Sequence, residues 1–92
     1  MAIFDIGETV ICSCEVKDDA GALKDPATSM TITITDKSNA VKVDGVAMTK
    51  DAVGKYHYDC QTAGYIDGKY GVKYIATDGT RITIETESVE LE

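Results

Sequence analysis

The chain lacks tryptophan and carries a single phenylalanine, a single proline and a single histidine. One histidine leaves only one side chain through which a Ser-His or Cys-His nucleophile could be activated. No stretch approaches the ~20 apolar residues of a helical membrane span. Basic residues are few and scattered: nine Lys and Arg stand against sixteen Asp and Glu, giving a net charge of −7. Nucleic acids and anionic membrane surfaces need clustered Lys and Arg, so neither is expected as a partner. The start, Met1-Ala2-Ile3-Phe4-Asp5, lacks the charged and apolar regions of a signal peptide, so a soluble product of cytoplasmic synthesis is expected. There is no Gly-x-Ser-x-Gly elbow, phosphate loop or dinucleotide fingerprint.

What the chain has is alternation. Ninety-two residues fit one domain, 1–92, with little interior to spare for an enclosed site. Thr, Val, Ile and Tyr favour strands. Ile3, Phe4 and Ile6 open a short strand. Val10, Cys12, Cys14 and Val16 alternate with polar neighbours over 9–17, predicting a strand with even positions inward. Residues 18–28, with Pro26, read as the main irregular loop. Met30, Ile32 and Ile34 alternate with Thr31, Thr33 and Thr35, a threonine row expected to form a solvated outer face. Tyr56 to Cys60 and Tyr70 to Ala76 read as two further strands.

Two Asp-Gly pairs read as turns. A two-residue loop at Asp44-Gly45 would oppose Val43 to Val46 and Val41 to Met48, with all four on one face. At Asp78-Gly79 a three-residue loop, Thr77-Asp78-Gly79, would oppose Tyr74 to Ile82 and Val72 to Ile84. That register buries both isoleucines and requires a G1 bulge at Gly79. Leu91-Glu92 is given no structural role. The expected fold class is all-β: an antiparallel sandwich of seven to eight strands spaced about ten residues apart.

Several phrases, in this order and spacing, resemble microbial immunoglobulin-like β-sandwich modules. They are Gly7-Glu8-Thr9-Val10, Val16-Lys17-Asp18-Asp19-Ala20-Gly21, Thr31-Ile32-Thr33-Ile34-Thr35-Asp36, Met48-Thr49-Lys50 with Gly54-Lys55-Tyr56-His57-Tyr58, and Asp67-Gly68-Lys69-Tyr70-Gly71-Val72. Such modules occur in bacterial and archaeal surface proteins, macroglobulin-like domains and tailed-phage structural proteins. The resemblance implies an immunoglobulin-like sandwich and places Tyr70 at a tyrosine corner, its hydroxyl bonded to nearby backbone. Val72 stands where antibody-type domains carry a cysteine, and there is no tryptophan, so the chain is not of antibody type.

Cys12, Cys14 and Cys60 are expected as buried, inert thiols. A zinc site with His57 is the weaker reading, because His57 and Cys60 point to opposite faces of one strand. A disulfide from Cys60 to Cys12 or Cys14 stays open if their strands are neighbours. His57 is expected to face solvent. Asp18, Asp19 and Asp25 share one loop and are the weak candidates for Ca²⁺; turn-forming aspartates are the default. Tyr56, Tyr58, Tyr70 and Tyr74 have inward parity, whereas Tyr65 and Ile66 lie in a loop and are the candidate contact residues. No catalytic residue and no cofactor is assigned. The expected role is a non-catalytic structural or interaction module, with a protein partner or another copy of itself, a phage or prophage virion protein being the leading case. The alternative is a carbohydrate- or Ca²⁺-dependent binding module of a larger surface protein.

Overall fold

The computed structural model describes residues 2–18 and 20–92. Eight strands follow in chain order: β1 Ala2–Phe4, β2 Thr9–Glu15, β3 Ser29–Thr35, β4 Val41–Ala47, β5 Thr49–Ala52, β6 Lys55–Gln61, β7 Gly68–Asp78 and β8 Arg81–Leu91. There is no helix among the described residues. The strands form two sheets, β1-β8-β7-β3-β4 and β2-β6-β5. Every pairing is antiparallel except β1 with β8, which is parallel.

Period-2 alternation builds the interior as read from the sequence. Val10 and Cys12 of β2, Met30, Ile32 and Ile34 of β3, and Tyr70, Val72, Tyr74 and Ala76 of β7 are all buried. They share one core with Tyr56 and Cys60 of β6 and with Val89 and Leu91 of β8. Tyr58 is half-buried against it. The Tyr70 hydroxyl donates to the Ile66 carbonyl at 2.7 Å. The described residues of 18–28 are irregular apart from Leu23, which forms one bridge with Lys17.

Asp44-Gly45 is not a turn. The chain reverses earlier, at Asp36 to Asn39, where the Asp36 carboxylate accepts from the Ser38 and Ala40 amides at 2.9 Å each. β4 then runs straight through Asp44 and Gly45 along β3. Its register passes from Ile34↔Val43 to Ile32↔Val46, so both residues oppose Thr33 alone. This is a bulge: Gly45 has φ +59° and its amide donates to the Thr33 hydroxyl. Val43 is buried, while Val41 and Val46 are exposed. Pairing against a long central strand outcompetes a local hairpin that had only its own two arms to pair.

The β7–β8 register also differs. The loop is Gly79-Thr80, closed by Asp78 opposite Arg81. Gly79 has φ +63°, the first central position of a two-residue hairpin loop. Tyr74 therefore faces Glu85 and Val72 faces Glu87, while Ile84 faces Ile75 and Ile82 faces Thr77. The two isoleucines lie on the outer face, 63% (Ile82) and 54% (Ile84) exposed. β8 carries two apolar pairs of opposite parity, and only one can be inside. Val89 and Leu91 take the interior because β1 also clamps that end: Phe4 pairs with Leu91, and the Glu92 amide donates to the Phe4 carbonyl. Leu91, given no role from sequence, is 2% exposed.

Gly54 fixes the β5–β6 turn against the end of β2. Its φ is +70°, and its carbonyl accepts from the Val16 amide at 2.7 Å. A Cβ there would lie 2.7 Å from the Val16 carbonyl oxygen.

Candidate functional site

The register of β8 creates the site. With Val89 and Leu91 inside, Thr83, Glu85 and Glu87 share their parity and project between the sheets. They face the free edge of β2, whose only strand partner is β6 among the described residues. The result is an open cleft of ≈ 820 Å³ walled by Ser13 to Lys17 on one side and Glu85 to Glu87 on the other, with Met30, Tyr74 and Ala76 at its floor. A second cleft of ≈ 590 Å³ adjoins it at Ser13 and Glu87 and continues past Val10, Phe4 and Val89.

The cleft is acidic. Glu15, Asp51, Glu85 and Glu87 line it beside Lys17 and Lys55. Inside it the Tyr74 hydroxyl donates to Glu87 Oε1, and the Cys14 thiol lies 3.9 Å from Glu85 Oε2. Burial, then the negative charge of Glu85, pushes the Cys14 thiol up to about 11. Burial, then the charge of Cys60, does the same to Cys12. Burial and the bond to Glu87 raise the Tyr74 phenol. Thiols held protonated are poor nucleophiles and poor metal ligands.

β8 also has a free edge. β7 pairs with it throughout, but β1 covers only Val89 to Leu91. From Ile82 to Ser88 the other edge has no strand partner among the described residues. An antiparallel ladder turns every second residue's amide and carbonyl toward that edge.

The residues singled out from sequence lie elsewhere. Tyr65 is half-buried and stacked on Tyr70, ring centroids 5.6 Å apart, with the Lys42 ammonium 5.7 Å above its ring. Burial, then its bond with Cys60, pushes its phenol up to about 12. Ile66 beside it is exposed. Asp18 accepts from the Ala20 and Ala22 amides. Asp25 accepts from the Gly54 amide at 2.8 Å, the Tyr56 hydroxyl at 3.1 Å and the Lys50 ammonium at 2.6 Å. Asp19 lies outside the described residues. Among those described, no group of three or more His, Cys, Asp or Glu side chains converges as metal ligands would.

The three cysteines are free. β2 and β6 are neighbours, but Cys12 faces Tyr58, Cys14 faces Tyr56 and Cys60 faces Val10. Cys12 and Cys60 are thus diagonal, and diagonal neighbours stand about 7–8 Å apart, beyond the reach of a disulfide. His57 lies on the outer face of β6, its Nδ1 2.6 Å from Asp51 and its Nε2 3.9 Å from Asp59. Ser13 is its cross-strand neighbour, yet no hydrogen bond joins the two side chains.

Sequence reasoning missed Glu85 and Glu87, whose parity looked outward, and Ile82 and Ile84, whose parity looked inward. The one available signal was Val89 with Leu91, a competing apolar pair on the other parity. Comparison with protein-family models, with curated proteins and with solved structures finds no match.

Proposed function

We propose that this chain is a non-catalytic structural or interaction module of immunoglobulin-like topology, working as a protein-docking component of a larger assembly such as a phage or prophage virion. The strand order supports the topology. With β2 taken as strand B, the sheet β2-β6-β5 has the order B-E-D, and β8-β7-β3-β4 has the order G-F-C followed by C′. The Tyr70–Ile66 hydrogen bond supports it again.

One observation carries the function: Ile82 and Ile84 stand exposed on the strand whose edge is open. An uncovered, partly apolar edge is a template for pairing with another chain. Asp18 and Asp25 already have their bonding partners, so the calcium-dependent alternative has no specific observation in its favour.

The test begins with the neighbouring genes, where capsid or tail proteins are expected. Particles purified after expression of that gene cluster should contain the chain in fixed ratio to the other components. An Ile82→Thr/Ile84→Thr double variant should keep the wild-type melting temperature and drop out of the particles. Particles without the wild-type chain, or with the double variant in full amount, would end this reading.

A further inference from the structure

We propose that the open side of the sandwich accepts one extended segment of a partner protein, which adds to β8 along Ile82–Ser88 with basic residues on one parity and apolar residues on the other. The inference rests on the docking role proposed above and specifies its partner.

The argument starts from the backbone. Seven residues of β8 have an unpaired edge, and at ~3.3 Å per residue they offer a track of ~23 Å. Strand addition satisfies such an edge with main-chain hydrogen bonds, and the side chains alternating across the track set the specificity. Those side chains are sharply sorted here. On the outer face the track carries Ile82 and Ile84, with Ile75 of β7 directly beside Ile84. On the inner face it carries Glu85 and Glu87, which look into a cleft where, with Glu15 and Asp51, four carboxylates stand against Lys17 and Lys55. Lys55 lies 3.9 Å from Glu15, which leaves Glu85 and Glu87 as the carboxylates nearest the open edge. A strand laid beside β8 places its own alternate residues against these two rows.

Charge then selects the occupant. A second copy of β8 would bring its own Glu85 and Glu87 into the same acidic cleft, and a net charge of −7 opposes that approach. Like charges across strands repel, and opposite charges attract. The complementary strand therefore carries Lys or Arg toward the cleft and Val, Ile or Leu toward the isoleucines. The cleft has room for long side chains: it is open to solvent and has a volume of ≈ 820 Å³.

The probe is a ten-residue synthetic peptide in which Val alternates with Lys, titrated into the full chain at low salt. Its controls are the peptide with Glu in place of Lys, and the Lys peptide N-methylated at alternate residues so that it cannot extend a ladder. The Lys peptide should bind and slow amide exchange at the edge-facing residues of Ile82–Ser88. The Glu and N-methylated peptides should not bind, and added salt should weaken the Lys peptide. Glu85→Lys, at an exposed position, should lower its affinity at least tenfold.

Equal binding of the Lys and Glu peptides, or protection that maps to β2 or β4 instead, would overturn the proposal. So would protection of β8 that rises with chain concentration alone, which would make a second copy the occupant. The peptide comparison uses the wild-type chain, so it holds even if Glu85→Lys fails to fold. A chain that enters particles through Ile82 and Ile84 yet ignores the Lys peptide keeps the docking role and loses this inference.

Discussion

Ile75 of β7 and Ile84 of β8 lie directly opposite each other on the outer face of the five-stranded sheet. Ile84 is 54% exposed, whereas Ile32, on β3 at the other side of β7, is fully buried. Ile84→Thr should therefore change unfolding free energy by no more than about 0.5 kcal/mol, as exposed substitutions do. Ile32→Ala should cost about 2–5 kcal/mol. Urea denaturation of the two variants measures the β8 register, because the three-residue loop would make both changes severe.

Tyr70→Phe keeps the ring in the core and strips the Ile66 carbonyl of its donor. The expected loss is about 1–2 kcal/mol, and in a domain of this size each kcal/mol lowers Tm by about 4–8 °C. An unchanged melting curve would remove the Tyr70–Ile66 hydrogen bond from the account of stability.

Asp25 and Asp36 should make the fold acid-sensitive. Bonds from the Gly54 amide and the Lys50 ammonium hold the Asp25 carboxyl below its usual range. Bonds from the Ser38 hydroxyl and the Ala40 amide do the same for Asp36. A carboxyl whose folded value is depressed stabilises the fold fully above its unfolded value of about 3.9 and loses that contribution as pH falls through the folded value. Tm should fall steeply below pH 4, and Asp25→Asn should lower Tm at pH 7 while flattening the acid limb. A flat Tm between pH 5 and pH 2 would contradict both carboxylates.

The cysteines should be slow to react. With Cys12 and Cys14 pushed up to about 11, each thiol at pH 8 carries on the order of a hundred-fold less thiolate than an ordinary cysteine. Alkylation with iodoacetamide should be slow in the native chain, then fast at all three thiols in urea. Rapid labelling of Cys14 in the native chain would show that Glu85 and burial do not govern it.

Gly54→Ala should destabilise by more than about 1 kcal/mol, since alanine is strained at positive φ and its methyl would meet the Val16 carbonyl. Gly79→Ala meets no neighbouring atom and carries only the conformational cost, so it should be the milder of the two in thermal melts.

β3 was legible because its apolar residues fall on one parity only, and β2 and β7 because one parity holds a row of apolar residues against a single outward isoleucine, Ile11 in β2 and Ile75 in β7. β8 was not, because Ile82 and Ile84 oppose Val89 and Leu91 in parity and the choice rests on β1, a strand paired with the far end. Asp44-Gly45 illustrates a second limit: the same dipeptide serves a hairpin turn or a bulge, and the length of the partner strand decides. β5, Thr49–Ala52, has no alternation to read, since all four of its residues are exposed. The cleft was invisible for a related reason. Its two walls are about seventy residues apart in the chain and meet only through the sheet order, and two glutamates pointing inward look in sequence like two glutamates pointing out.

The parallel run of β1 beside β8 has a mechanical consequence. Tension applied to Ala2 and Glu92 pulls the two strands along their own axes in opposite directions. The hydrogen bonds between Phe4, Ile6 and Glu92 then bear the load together in shear instead of opening one at a time. The shortest ladder of the five-stranded sheet is thereby the latch that a force pulling Ala2 and Glu92 apart loads directly.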